Sequence, residues 1–354
     1  MLNSFQHLER SRNKFGVTCR QNSSLLSLTE HCNTSRKKLF WRRGKSNIGM
    51  ASLNKDLANN ILKTVAYFDV FKYPLTSEQI FRYLPQNSIS VNDVENAALQ
   101  MTASNKLLKE KSYFLLPFSH RSIIEKREAD EHRAQKKLKY ARNISRFIKL
   151  MPFIRGIFLT GSLSKNVADS SSDIDFMIVA ASKRLWICRT MLTAFRKIFL
   201  FGSSKYFCTN FYVTENGYAQ HRRNIFTSVE VATTKVIWNE SAFLEFQRQN
   251  QWIKEFLPNI DGTADQQLLI SSSRSWSQRI IEVMLRILPL NVLDNRLMEF
   301  HRTHWQRSFS KVSAEQFNTM FIISPDISAG WPDNYEESIL KEFQTKLTML
   351  GIQG

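Results

Sequence analysis

The sequence predicts an α+β fold: a mixed sheet with flanking helices, preceded by a winged-helix-like unit and followed by a helical region. Three observations support this prediction. Three amphipathic segments and a short hairpin occupy 53–118, two apolar runs joined through a glycine turn occupy 156–180, and apolar residues recur at helical spacing beyond residue 240. We therefore divide the chain into a basic extension (1–52), the winged-helix-like unit (53–118), a core with its leading helix (119–240) and a C-terminal helical region (241–354).

Composition and charge limit the class of protein. Of the 354 residues, 43 % are hydrophobic and 23 % are charged, which is typical of a folded chain rather than a disordered one. The net charge of +18 favours anionic partners such as nucleotides, nucleic acid or acidic membrane surfaces. Residues 1–49 carry +8 of this charge, which leaves +10 for the rest of the chain.

The extension is rich in Ser, Asn and Arg and has weak periodicity. It is typical of a disordered segment, or of sequence translated ahead of a start at Met50, with an organellar targeting segment as the alternative. The four cysteines have no CxxC spacing, which fits a reducing compartment, and the N-terminus has no compact apolar signal segment. We therefore expect a cytoplasmic protein.

No apolar run approaches the ~18–20 residues that span a bilayer. The longest two, LWICRTMLTAFRKIFLF and IIEVMLRILPLNVL, are interrupted by charges and predict amphipathic helices packed in a core. His301 and His304 form an HRTH sequence without the glutamate of a zinc helix, so we predict no metal role for them.

The first predicted unit begins with the helical pattern NKDLANNILKTVAYFDVF. Thr76 and Gln79 have capping-box spacing, a third helix follows Ser90, and LLKEKSYFLL predicts a hairpin. This is the element order of a winged helix. The third helix carries Asp93 and Glu95 but no arginine, which favours a structural or protein-docking role over DNA contact.

The segment 119–150 has ten basic residues, four acids and a narrow apolar stripe. We expect a solvated connecting helix rather than a nucleic-acid-binding face. GIFLT at 156–160 then predicts a buried strand that ends at Gly161, where a tight turn and close approach of a ligand are allowed. Ser162 adds a hydroxyl and a backbone N–H that suit a phosphate chain.

Asp173 and Asp175 lie at the start of the second predicted strand, DIDFMIVA. Side chains alternate along a strand, so both carboxylates should project from the same face. A divalent cation would offset their mutual repulsion, and oxygen ligands suit Mg²⁺. The alternative is that Asp173 caps a turn and Asp175 is a charge at a strand edge.

The stretch GSLSKNVADSSSDIDFMIV resembles the signature of the DNA polymerase β-like nucleotidyltransferase superfamily. More specifically, the chain is similar to bacterial nucleotidyltransferase-domain proteins of uncharacterised substrate. The similarity covers roughly 55–350 and includes YFDVFKYPLT, PFIRGIFLTGS, SDID, CTNFY and FTSVE.

This resemblance implies a five-strand mixed sheet and transfer of a nucleoside monophosphate from an NTP to a hydroxyl, with release of pyrophosphate. Gly161 and Ser162 would hold the β and γ phosphates. Asp173 and Asp175 would bind Mg²⁺ or Mn²⁺ in two-metal chemistry. By its spacing, Lys165 would reach the triphosphate.

Many superfamily members place a third carboxylate on a later strand. Here that strand, KYFCTNFYVTEN, has no acid before Glu215. Asn210 is the residue best placed to bind the metal instead, and Glu230, on a predicted following helix, is a second candidate.

The acceptor remains open from sequence. A small molecule or a protein is favoured over nucleic acid, because the chain has no recognisable RNA-binding module or basic-aromatic groove. The missing third acid also supports an alternative: a catalytically weak or inactive nucleotide-binding regulatory protein, with a winged helix that binds DNA or protein.

Overall fold

The structure, a computed structural model, describes residues 54–199, 201, 206–261, 268–271, 273–331 and 335–352. The predicted extension at 1–52 lies outside the described residues. Across the described ranges, every helix is too short or too polar to cross a bilayer.

Three helices and a hairpin form the N-terminal unit, as the sequence predicts. These elements are α1 (Lys55–Val70), α2 (Ser77–Tyr83), α3 (Val91–Ala103), β1 (Leu108–Glu110) and β2 (Tyr113–Leu115). Thr76 and Gln79 form the expected capping box at α2. Ser90 and Asp93 form another at α3, so Asp93 has a structural role at the start of its helix.

The long charged segment forms α4 (Ser122–Ile148), but the prediction of a solvated connecting helix is wrong for one of its faces. Arg127, Asp130 and Lys137 on that face are buried. Buried charges need partners. Arg127, for example, pairs with Glu131 and lies over the ring of Tyr73 at 3.9 Å.

The central sheet has six strands in the order β6-β3-β4-β5-β8-β7. The strands are β3 (Ile154–Thr160), β4 (Asp175–Ala180), β5 (Cys208–Val213), β6 (Lys235–Trp238), β7 (Phe321–Ile323) and β8 (Ile327–Gly330). Neighbouring strands are antiparallel except β4 and β5, which are parallel. The sheet is therefore mixed, in agreement with the predicted α+β class, but it has one strand more than the resemblance implies.

Helices flank this sheet on both faces. They are α5 (Gly161–Ser164), α6 (Leu185–Phe199), α7 (Ile225–Thr233), α8 (Glu240–Gln249), α9 (Trp276–Leu285), α10 (Leu290–Ser308), α11 (Ala314–Met320) and α12 (Tyr335–Met349), with 3₁₀ turns at Glu215–Gly217 and Gln251–Glu255. One face of β4 packs Phe176 and Ile178 into a core with Trp186 of α6. The other packs Met177 with Phe243 of α8.

The C-terminal region is not wholly helical, and this corrects the prediction. Strands β7 and β8 form an antiparallel hairpin around Pro325 and Asp326, and β8 pairs with β5. Ile327 and Ala329 thereby join the core that contains Phe211. Strands of three or four residues show too little alternation to be distinguished from a helix by pattern, so their pairing is determined by tertiary contacts.

The two interrupted apolar runs have different outcomes. Helix α6 buries Leu185, Trp186 and Leu192, as expected of a core helix. Helix α9 does not pack as predicted, because Val283 and Met284 are 58 % and 66 % exposed.

The N-terminal unit packs against the sheet region beside the Gly161 turn. Ile61 and Val65 of α1 share a core with Val229 of α7 and Leu347 of α12. The hydroxyl of Tyr73 donates a hydrogen bond to the backbone oxygen of Lys165 at 3.4 Å. This packing places aromatic side chains of the first unit next to the predicted phosphate turn.

Candidate functional site

The turn after β3 lies against the first residue of β4. The antiparallel pairing of the two strands places Thr160 opposite Asp175, and Gly161 follows with φ +71°. A Cβ on Gly161 would overlap Asp175 Oδ2 and lie 3.2 Å from its Cγ. Both the left-handed backbone and the close carboxylate therefore require glycine here.

Ser162 is buried, and its Oγ has no hydrogen-bond partner among the described residues. Its backbone oxygen accepts hydrogen bonds from the N–H groups of Lys165 and Val167, which close the turn. An unsatisfied buried hydroxyl costs about 1–3 kcal/mol. A ligand oxygen or a water molecule at this position would remove that cost.

Asp173 and Asp175 are both buried, with 6 % and 1 % of their surfaces exposed. Strand β4 begins at Asp175, so Asp173 precedes the strand, and the prediction that both acids belong to it is wrong. The two carboxylates nevertheless lie near a common neighbour. The pKa of the Cys208 thiol is raised well above its usual range, first by burial and then by the negative charges of Asp175 and Asp173.

Strand β5 places Cys208, rather than Asn210, opposite Asp175. A register irregularity follows, because Met177 pairs with Phe211, and Asn210 lies in that irregular stretch. The amide of Asn210 donates to Cys208 Sγ at 3.0 Å. A metal-binding role for Asn210 remains a prediction. Sequence reasoning missed Cys208, although its position at the start of the strand was a usable signal.

Lys165 connects the turn to Glu230. Its Nζ donates to the backbone oxygen of Gly161 at 3.1 Å and to Glu230 Oε1 at 2.7 Å. Glu230 lies on α7, as the sequence predicts for the following helix, and is buried. Its Oε2 has no hydrogen-bond partner among the described residues. Glu230 therefore holds the lysine at the Gly161 turn.

The loop between the turn and the acid pair is held by α4. Lys137 Nζ donates to the backbone oxygens of Asp169 and Ser172 at 3.0 and 2.5 Å. The Asp169 carboxylate in turn accepts hydrogen bonds from Ser171 and Ser172. Burial alone would raise the pKa of Asp169, but these hydrogen bonds outweigh it and lower the pKa. Lys137 thus fixes the loop that leads to Asp173, and sequence reasoning did not identify it.

A cleft of about 310 Å³ opens beside Lys165. Its lining includes Arg82 and Lys235, besides Tyr73 and Tyr83 of the first unit. The cleft, which Asp261 also lines, thus presents positive charge and aromatic rings near the Gly161 turn, but its lining does not include Ser162, Asp173 or Asp175. Such a lining suits the phosphates and the base of a nucleotide.

The donor set fits a single divalent cation better than a pair. Mg²⁺ is commonly held by one or two carboxylates while substrate phosphates and water supply its other ligands, and Asp173 and Asp175 meet that requirement. Among the described residues no group of three or more His, Cys, Asp or Glu could hold a metal ion. The position opposite Asp175, where a third acid would complete a larger set, holds the neutral Cys208 thiol.

Comparisons of the chain with protein families, with curated proteins and with solved structures found no match.

Proposed function

We propose that the protein is a nucleotidyltransferase that moves a nucleoside monophosphate from an NTP to a hydroxyl of a small molecule or a protein and releases pyrophosphate. The observation that carries this proposal is the contact between the Gly161 turn and the Asp175 carboxylate. It brings a turn suited to phosphate together with an acid pair suited to Mg²⁺ or Mn²⁺.

The chain's own residues have distinct parts in this proposal. The Ser162 hydroxyl would donate a hydrogen bond to a phosphate oxygen, which would give the buried Ser162 Oγ a hydrogen-bond partner. Lys165 would add positive charge beside the phosphates while Glu230 holds its amine in place. Asp173 and Asp175 would hold the cation, which when bound neutralises phosphate charge and activates a hydroxyl nucleophile.

The test is label transfer from each α-labelled NTP, with Mg²⁺ or Mn²⁺, to candidate acceptors or cell extract. We expect transfer by the wild type and none after Asp173→Asn plus Asp175→Asn. Asp294→Asn is the matched control, since Asp294 is also buried and accepts a backbone hydrogen bond from Ile187 at 2.9 Å, but lies on α10. Transfer that survives the double substitution would refute the proposal.

A second candidate function is nucleotide sensing by a catalytically weak or inactive protein. The observation that favours it is Cys208 at the position opposite Asp175, together with the winged-helix order of the N-terminal unit. This candidate predicts cation-dependent NTP binding by calorimetry without transfer to any acceptor. Anisotropy of labelled DNA with the full chain at two salt concentrations would test the DNA-binding version.

A further inference from the structure

Helix α9 attaches to the protein through its polar side. Gln278 is fully buried, and its Nε2 donates to the backbone oxygens of Met151 and Ile154 at 2.7 and 3.0 Å. Four residues later, Glu282 accepts a hydrogen bond from the backbone N–H of Phe153 at 2.7 Å. These contacts fix the polar side of α9 against the start of β3.

Ion pairs reinforce this orientation. Glu282 pairs with Arg155 at 2.9 Å and with Arg274 at 2.5 Å, and its side chain is only 12 % exposed. Rotating α9 to bury its apolar side would break these bonds and leave buried charges without partners, which is costly. The inward polar side is therefore a stable feature of the fold.

As a result, the apolar side of α9 faces outward. Five large side chains at spacings of four, three, one and three residues form one stripe, which we call the α9 stripe: Trp276, Ile280, Val283, Met284 and Ile287. Their exposed fractions are 75, 44, 58, 66 and 88 %. The apolar surface continues beyond Ile287 through Leu288, Val292 and Leu293, which are 42–52 % exposed.

The exposed charge around the stripe is positive. Arg279, Arg286 and Arg296 are exposed. Of the acids on the same two helices, Glu282 and Asp294 are engaged inward, and Glu299, whose side chain is 59 % exposed, is paired with Arg302 at 3.2 Å.

We propose that the α9 stripe docks, in the plane of the membrane, on a bilayer surface that contains anionic lipids. Tryptophan and aliphatic side chains enter the headgroup boundary, and arginines at the edge reach lipid phosphates with their stems on apolar surface. A second copy of the chain is a poorer occupant. A symmetric contact through this face would bring the arginines of both copies together without acids to pair them.

The charge of the whole chain fits the same surface. The net charge of +18 includes +8 in residues 1–49, and each basic residue near an anionic bilayer adds to attraction. This proposal is independent of nucleotidyl transfer, because it uses no residue of the candidate site.

The test is flotation of the full chain with vesicles of phosphatidylcholine alone or with phosphatidylglycerol added. We expect the wild type to float with the mixed vesicles, and Met284→Asp plus Ile287→Asp to lower the bound fraction at least ~10-fold. Arg279→Gln plus Arg286→Gln should reduce the preference for phosphatidylglycerol. Leu244→Asp on α8, at a side chain that is 54 % exposed, is the matched control and should float as the wild type does.

Three results would overturn the proposal. In the first, the wild type fails to float. In the second, the variant with Met284→Asp plus Ile287→Asp floats as the wild type does, because charge alone binds the vesicles. In the third, light scattering shows a dimer that the same variant dissociates, which would assign the stripe to a second copy. Circular dichroism melts of each variant verify that the fold is retained.

Discussion

The backbone of Gly161 lies directly against the carboxylate of Asp175. An added Cβ would overlap Oδ2 and lie 3.2 Å from Cγ and 3.3 Å from Cβ of Asp175. The Gly161 turn and Asp175, which the sequence assigns to one predicted site, therefore pack directly against each other. A change in the turn must displace the carboxylate.

Gly161→Ala should harm both folding and ligand binding. The left-handed φ of +71° and the overlap with Asp175 together should lower the free energy of unfolding by about 2–4 kcal/mol. Displacement of the carboxylate should weaken binding of Mg²⁺–NTP at least ~10-fold. Urea unfolding and isothermal titration calorimetry measure the two effects.

Gly351→Ala is the matched control, because Gly351 has φ +68° and no atom within 4 Å of an added Cβ. It should show only the backbone penalty, about 1 kcal/mol, with nucleotide binding unchanged. Equal effects of the two substitutions would mean that the contact with Asp175 is unimportant.

Local patterns predict the Gly161 turn and the strand after it well, place the start of that strand two residues too early, at Asp173, and predict long-range pairing poorly. Gly161 and the strand that begins at Asp175 are signalled within a few residues, by glycine and by an apolar run. That Cys208 faces Asp175 depends on the register of two parallel strands that α6 separates, and on an irregularity within β5. No local pattern carries that information.

Helix α9 illustrates a second limit. Its periodicity correctly predicts an amphipathic helix, but periodicity does not state which side faces inward. Gln278 and Glu282 decide the orientation by bonding the backbone of distant residues. Hydrophobicity alone would choose the opposite side, so the prediction of a packed apolar face was wrong.

Removal of one member of the Lys165–Glu230 pair should be costly. The side chains are 12 % and 5 % exposed and lie 2.7 Å apart, so Lys165→Met leaves Glu230 buried without a counter-charge. We expect a loss of about 3 kcal/mol in the free energy of unfolding, with partial recovery when Glu230→Gln is added. Urea unfolding of the four proteins in the double-mutant cycle gives the coupling energy.

The surface pair Arg248–Glu245 is the control for that cycle. It has the same separation of 2.7 Å, but its side chains are 66 % and 37 % exposed. Solvent screening should make its coupling energy much smaller. If the coupling energy of Lys165–Glu230 were as small as that of Arg248–Glu245, the buried pair would not be stabilising the fold as we predict.

His301 should make stability depend on pH. Burial, followed by the charge of Arg189, lowers the pKa of its imidazole from 6.5 to about 4. The folded protein thus binds this proton less tightly than the unfolded chain. The free energy of unfolding should be unaffected above pH 6.5, fall as the pH drops toward 4, and level off below that.

After allowance for solvent screening, we expect the free energy of unfolding to fall by about 2 kcal/mol between pH 6.5 and 4 because of His301. Urea unfolding of the wild type and of His301→Leu across this pH range measures that contribution. The variant should lose this part of the pH dependence, together with the hydrogen bond between His301 Nε2 and Thr190 Oγ1 at 3.0 Å. His304→Leu, at an exposed position on the same helix, should retain it. Parallel pH profiles for the wild type and His301→Leu would exclude this origin.

Cys208→Asp tests whether the acid pair is a cation site. The raised pKa of Cys208 keeps its thiol neutral, and the substitution adds a third buried carboxylate opposite Asp175. Without a divalent cation, repulsion and burial should destabilise the fold by about 3 kcal/mol. Mg²⁺ or Mn²⁺ should recover most of that loss, because three carboxylates hold the cation more tightly than two. Thermal unfolding with and without each cation measures the recovery.

Cys208→Ser is the uncharged control and should show no added cation response. Asn210→Asp separates the two positions considered for a third ligand. Because Asn210 lies in the irregular part of β5 and Cys208, not Asn210, is paired with Asp175, substitution of Asn210 should give a weaker response than Cys208→Asp. A stronger response from Asn210→Asp would restore Asn210 as the preferred position. Equal destabilisation of Cys208→Asp with and without cation would mean that Asp173 and Asp175 are structural acids.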